Sequence, residues 1–174
     1  MSIHDAEKLI RDVPDFPKPG IVFKDIAPLL ADGRAWRVVT EAMIAEVAPW
    51  KPEKLAGIES RGFLFSAPLA FELGRGLVLV RKPGKLPWEV VREEYALEYG
   101  SDAIEMHVDA VRPGERVVIV DDVLATGGTA AATRRLVERA GGVVVGFAFM
   151  VELAFLGGRE RLGDVPVASI YRYE

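Results

Sequence analysis

The chain has 174 residues, half of them apolar, which suits one domain with a full core. Lys+Arg 22 against Asp+Glu 26 leaves a net charge of −4, so nucleic acid is disfavoured as a main partner and any anion site is a local one. Cysteine is absent and the two histidines, His4 and His107, stand far apart, which excludes disulfides and thiol chemistry and disfavours a zinc site.

Residues 5–13 suit a short helix, and DFPKPG at 15–20 is a turn that cannot be helical. Residues 34–48 carry Trp36, Val39, Met43 and Val47 at helical spacing, and Pro49 and Pro52 stop that helix. A short strand is expected at 55–58, a helix at 63–73 and a strand at 77–80. A polar stretch bearing Lys and Arg covers 81–102, and 103–108 alternates like an exposed strand. Arg112 to Glu115 form a turn into the apolar run Val117 to Val120. A helix follows over 130–140, a buried strand over 143–151, loop and helix over 153–162, and a last strand over 167–171. Strands alternating with helices at this spacing imply right-handed βαβ units and a mostly parallel sheet flanked by helices, an α/β fold. Residues 1–30 and the tail are expected to cap the edge of the sheet.

The N-terminal MSIHDAEKLI is charged and lacks an apolar core, so it does not read as a signal peptide. The apolar run at 143–151 is too short to span a bilayer. A cytoplasmic protein without a membrane partner is expected. Asn and Gln are missing altogether and Arg outnumbers Lys, as expected of a thermophilic source, although a GC-rich genome biases Arg the same way.

The run VVIVDDVLATGGT at 117–129 is the most informative part of the chain. Four branched apolar residues suit a strand buried on both faces of a parallel sheet. Ligands of open α/β sheets bind where such strands end. Here that end carries Asp121 and Asp122, then Ala125, Thr126, Gly127, Gly128 and Thr129. The glycines let backbone N–H groups turn toward an anion, and the next helix adds its dipole. Two acids alone repel a phosphate. Acids beside a phosphate cradle point to a ligand with both hydroxyls and a phosphate, such as a ribose 5-phosphate. The plain alternative is a buried strand ending in a solvated acidic turn.

A second corner, Gly57 to Gly62 (GIESRG), follows a strand and opens a helix. Its Ser60, Arg61 and N–H groups suit another anion. The alternative is an ordinary helix N-cap by Ser60. It is not a nucleophile elbow, because Ile58 stands where that motif needs glycine. The basic segment RKPGKLP at 81–87 reads either as a solvated loop or as a flap carrying cations to a polyphosphate. It leads to YALEYG at 95–100, a hairpin arm with aromatic residues outside any obvious core. Flaps of this kind exclude water from reactive intermediates.

The 117–129 run resembles the phosphoribosyl pyrophosphate motif of type I phosphoribosyltransferases. With FPKPGIVFKDI, ESRGF, RKPGKLP, YALEYG and VELAFLGGRERL in the same order, nearly the whole chain resembles the adenine phosphoribosyltransferase family. The motif alone identifies the superfamily; FPKPGIVFKDI and LEYG are the specific parts. Trp88 departs from the family, which usually has glycine after KLP, and Lys24 stands where arginine is also common.

The resemblance implies a single phosphoribosyltransferase domain with an N-terminal hood at about 1–30 and a flap at about 81–102. It implies purine salvage: adenine and phosphoribosyl pyrophosphate give AMP and pyrophosphate, with Mg2+ carried mainly by the substrate. By the same resemblance, Asp121 and Asp122 hold the ribose hydroxyls and Ala125 to Thr129 the 5-phosphate. Glu59, Ser60, Arg61, Gly62, Arg81 and Lys85 hold pyrophosphate, with a non-proline cis peptide at Glu59–Ser60. Glu98 is the acid/base residue. Val22, Phe23, Lys24 and Leu156 hold adenine, Phe23 by stacking, unless Phe23 is simply a core residue. A homodimer is also implied.

Two other readings remain. One is a regulator on this fold that binds nucleotides without chemistry; salt-sensitive DNA binding marks it. The other is a phosphoribosyltransferase for xanthine or another 6-oxopurine, which base competition separates. A P-loop NTPase is disfavoured because GxxxxGK[ST] is absent.

Overall fold

The apolar run at 117–120 becomes the middle of a nine-residue strand, β7 (Arg116–Leu124), and the fold is organised around it. The structure, a computed structural model, describes residues 1–97 and 100–174. The chain divides into two compact units, Met1–Ala42 and Met43–Glu174.

In the second unit β7 is the centre of a five-stranded sheet. Its other strands are β3 (Lys54–Ile58), β4 (Gly76–Val80), β8 (Val143–Leu153) and β9 (Val167–Tyr173), in the order β4-β3-β7-β8-β9. Every pairing is parallel. Val117 to Val120 are completely buried, as a strand covered on both faces must be. Helices α4 (Gly62–Leu73) and α5 (Gly128–Arg139) supply the covering side chains, among them Phe65, Leu69, Leu136 and Val137. Fully burying a side chain such as Phe65, Phe147 or Phe149 contributes about 1.5–3 kcal/mol.

The chain passes from β3 outward to β4, then returns to β7 and continues the other way through β8 to β9. The direction of winding reverses between β3 and β7, and such a switch point leaves a crevice at the carboxyl ends of the two strands. β3 pairs with β7 only as far as Gly57↔Val120, whereas β7 and β8 stay paired to Leu124↔Glu152. Asp121 and Asp122 therefore lie within β7, just past its last pairing with β3, rather than in a turn after the strand.

Between β4 and β7 runs an antiparallel hairpin of β5 (Val90–Ala96) and β6 (Ser101–His107). Arg81 and Glu105 exchange backbone hydrogen bonds of 2.9 and 2.7 Å, which ties the hairpin to the chain leaving β4. Residues 103–106 are buried and not the exposed strand that alternation suggests, and Tyr95 belongs to the core rather than standing outside it. The strand at the tail is the edge strand β9 of the main sheet, not part of a cap.

The first unit begins with α1 (Ile3–Glu7), closed by a capping box between Ser2 and Asp5. The helix expected over 5–13 stops there. Residues 11–14 instead form β1 (Arg11–Pro14), antiparallel to β2 (Val22–Asp25). The DFPKPG turn joins them, with Phe16–Pro17 cis and Asp15 and Gly20 at positive φ. α2 (Ala27–Ala31) follows, and α3 (Gly33–Val47) runs on into the second unit. The buried stripe of α3 is Ala35, Val39, Met43 and Val47. Trp36, placed in that stripe by spacing, is 36 % exposed, because the short Ala35 takes the inward position.

Candidate active site

Two loops open at the switch point. The first, residues 59–61, leaves β3 and enters α4, and its Glu59–Ser60 peptide is cis. Ser60 does not cap the helix: the N-cap is Arg61, and no side chain there accepts from the first N–H groups. The second, residues 125–127, leaves β7 and enters α5, again without a capping side chain. Gly127 has φ +79°, a conformation other residues adopt only under strain. Two helix starts without capping side chains thus face the same end of the sheet, each with the positive end of a dipole.

The acids join these loops. Asp122 is buried, and its carboxylate pairs with Arg61 Nε from the first loop. A buried carboxylate needs such a partner, since an unpaired one is costly to desolvate. Asp121 Oδ1 accepts from the Asp122 N–H at 2.9 Å. A Cβ on Gly62 would stand 2.9 Å from both Asp121 Oδ1 and the Val120 carbonyl, so only glycine lets α4 begin this close to β7. Burial, and then the neighbouring Asp122 carboxylate, push the Asp121 carboxyl well above the usual carboxylate range. A small cleft of roughly 90 Å³ lies beside it, lined by Asp121, residues 123–130 and Phe149.

Glu59 faces away from this pair and holds the chain leaving β4. Its carboxylate accepts from Arg81 Nη2 at 3.1 Å, Arg81 Nε at 3.3 Å and the Lys82 N–H at 2.8 Å. The Arg81 guanidinium holds Glu59 below its ordinary range. Arg81 Nη1 also donates to the Lys85 carbonyl at 3.1 Å, which folds the 81–85 segment back on itself. Lys85 is exposed and close enough to add a favourable charge at Glu59.

The remaining sequence candidates lie elsewhere. Val22, Phe23 and Lys24 belong to the first unit, on β2. Val22 is half exposed, Phe23 meets Phe16 edge-to-face at 5.2 Å, and Lys24 Nζ contacts Asp12 at 2.6 Å. Leu156, 43 % exposed, lies in the second unit on a short helix, Ala154–Leu156, just after β8. Glu98 lies outside the described residues.

Two groups near the loops escape the sequence reading. Tyr95 Oη lies 3.2 Å from Thr129 Oγ1, 3.1 Å from Asp102 Oδ2 and 3.3 Å from Lys82 Nζ, and Lys82 pairs with Asp102. Glu152, at the end of β8, is buried and paired with Arg159. The one available signal was Glu152 itself, an acid closing an apolar run as Asp121 does.

A profile for the phosphoribosyl transferase domain matches residues 30–165. The adenine phosphoribosyltransferase of Anaeromyxobacter sp. (strain Fw109-5) is 60 % identical over 167 residues, 94 % of this chain and 93 % of that protein. The chain belongs to the adenine phosphoribosyltransferase family. Solved structures of the family agree in fold. That from Thermoanaerobacter pseudethanolicus superposes with a TM-score of 0.96 at 49 % identity, covering 99 % of this chain and 100 % of its own. The Saccharomyces cerevisiae adenine phosphoribosyltransferase, complexed with an imino-altritol bisphosphate and adenine, superposes with a TM-score of 0.92 at 38 % identity, covering 97 % of each chain. The adenine phosphoribosyltransferase fold thus accounts for the parallel sheet and its two loops.

Proposed function

We propose that this chain transfers the 5-phosphoribosyl group from phosphoribosyl pyrophosphate to adenine, forming AMP and pyrophosphate in purine salvage. One observation carries the residue assignment: two uncapped helix starts flank a pair of carboxylates at the switch point of the sheet. That array suits a sugar with a phosphate at each end. Asp121 and Asp122 accept from the ribose hydroxyls, Ala125 to Thr129 donate to the 5-phosphate, and residues 59–62 with Arg61 take the pyrophosphate. Arg81 and Lys85 add positive charge from the flap. The Arg61–Asp122 pair must then yield, Arg61 exchanging a carboxylate for a phosphate oxygen and Asp122 a guanidinium for hydroxyl donors.

The C1–O bond to pyrophosphate breaks, passing through an oxocarbenium-like ribose, and the bond from C1 to adenine forms. Preorganised N–H groups and guanidinium charge stabilise the leaving group without reorganisation during the reaction. Glu98 serves as the acid/base residue facing N7 of adenine. The candidates for holding adenine are Val22, Phe23 and Lys24, Phe23 by stacking on the purine, and Leu156. We place Mg2+ mainly on substrate oxygens and water. Held there, the ion would neutralise charge developing on pyrophosphate.

We read the whole chain as one phosphoribosyltransferase domain, residues of about 1–30 serving as a hood and about 81–102 as a flap. Phe71, 87 % exposed, with Leu64 on α4 and Leu77 and Leu79 on the edge strand β4, supports a homodimer. Among the described residues no helix is long and apolar enough to cross a membrane, and we place the enzyme in the cytoplasm. A thermophilic source agrees with Glu93 shared by Arg135 and Arg139 and with Glu152 on Arg159. Thermal unfolding within the mesophile range of about 45–65 °C removes that part of the reading.

The test is AMP formation from phosphoribosyl pyrophosphate and Mg2+, with adenine, hypoxanthine, guanine and xanthine run in parallel. Turnover with adenine alone is expected. Turnover with a 6-oxopurine discards the base pocket and keeps the phosphate sites. Tight ligand binding without turnover on any base favours the regulator.

A further inference from the structure

The second wall of the phosphate loop comes from a distant stretch of chain, the short helix Gly158–Leu162. A Cβ on Gly158 would overlap the Ala125 carbonyl and stand 3.0 Å from the Gly127 nitrogen. Conversely, a Cβ on Gly127 would overlap the Gly158 carbonyl and stand 3.2 Å from Gly158 Cα. The two backbones are therefore in direct contact, with no side chain between them. Each glycine is required by the other's proximity.

Gly158 is held by its neighbour. Arg159 Nε donates to Glu152 Oε1 at 3.0 Å, its Nη2 pairs with Glu152 Oε2, and its Nη1 donates to the Val167 carbonyl at 2.9 Å. Glu152 is 3 % exposed and also accepts from Ser169 Oγ at 2.7 Å. One guanidinium thus fastens this short helix to β8 and β9 together. At its far end, Arg134 of α5 donates to the Leu162 carbonyl at 2.7 Å. The helix is anchored to two strands of the sheet and to the helix that follows the phosphate loop. Such a buttress leaves the 125–127 backbone little room to rearrange.

We propose that Arg159 is a positioning residue for the 5-phosphate site: fixed by Glu152 and Val167, it presses the Gly158 backbone against Ala125 and Gly127 and sets the shape in which the loop receives phosphate. The inference rests on the assignment of residues 125–129 to the 5-phosphate. A bidentate, planar guanidinium is needed to reach both strands, and a lysine ammonium does not replace it.

Ribose 5-phosphate and pyrophosphate binding are measured by calorimetry on the full chain carrying Arg159→Lys, Gly158→Ala or Thr129→Ala. The dissociation constant for ribose 5-phosphate is expected to rise about tenfold in Arg159→Lys, the loss of one charge-assisted hydrogen bond to the phosphate. Gly158→Ala is expected to lose more, and supplies the same reading should the lysine variant fail to fold. Pyrophosphate affinity stays within about twofold of wild type in both. A lowered thermal midpoint with unchanged ribose 5-phosphate affinity overturns the proposal, because the pair is then merely structural. Parallel loss of pyrophosphate affinity overturns it as well, since the whole site has then loosened. Weakening in Thr129→Ala but in neither Gly158→Ala nor Arg159→Lys sinks the buttress and leaves the loop assignment standing. No weakening in any of the three removes the loop assignment too.

Discussion

Tyr95→Phe deletes one oxygen and leaves the volume of the ring unchanged, so it isolates the hydroxyl that ties the hairpin to the first turn of α5. Tyr95 is 7 % exposed, which leaves water little access to replace the lost bonds. The bond to Asp102, 3.1 Å long, has an ionised acceptor, but Asp102 is a third exposed and keeps its pair with Lys82, so its loss costs about 1 kcal/mol. The neutral bond from Thr129 at 3.2 Å adds about 0.5 kcal/mol. The Lys82 contact at 3.3 Å is long and adds little. The expected loss of about 1.5 kcal/mol lowers the thermal midpoint by roughly 3–6 °C in a chain of this size. Urea unfolding at one fixed protein concentration reads it as a shifted midpoint with unchanged slope. Thr129→Val, made in both backgrounds, is expected to be less harmful when Tyr95 is already Phe. A Tyr95→Phe midpoint within about 0.3 kcal/mol of wild type, or additivity of the two changes, refutes the network.

Three further outcomes follow from the site. Asp121, raised by burial and by Asp122, holds its proton more tightly folded than unfolded, so it costs stability at neutral pH, and that cost vanishes as pH falls below its ordinary 3.8. Asp121→Asn is therefore expected to melt higher than wild type at pH near 7, to converge with it in acid, and to lose ribose 5-phosphate affinity; a lower midpoint at neutral pH contradicts the shift. Ser66, beneath Gly57 of β3, is fully buried with no hydrogen-bond partner for its hydroxyl among the described residues, so Ser66→Ala is expected to raise stability by about 1 kcal/mol in the same urea assay, and destabilisation means the hydroxyl is paired. Glu98→Gln is expected to cut turnover by about 10²–10⁴-fold while changing phosphoribosyl pyrophosphate affinity far less, and wild-type turnover removes Glu98 from acid/base chemistry.

The parallel sheet was legible because β7 and β8 are long apolar runs bounded by turns, and such runs have few other places to go. The loop between β7 and α5 was legible because its strand, acids, glycines and helix are contiguous. The β1–β2 hairpin was not, since four-residue strands carry too few positions to show a period, and residues 5–13 look helical until Ile10. The burial of Ile104 and Met106 on β6 was hidden because hairpin and sheet contacts are set by distant partners. The same reason conceals Arg61 on Asp122, 61 residues away, and Tyr95 on Thr129. In each case local chemistry names the residue type, and long-range packing decides what it touches.

The contact between Gly127 and Gly158 bears on how portable the phosphoribosyl motif is. A strand, two acids and a glycine loop look like a cassette that any parallel sheet accepts. Here the cassette packs directly against backbone some thirty residues downstream, itself fastened to the next two strands. Grafting residues 117–129 alone transfers the ligands without their mould, whereas a graft extending through β9 carries both.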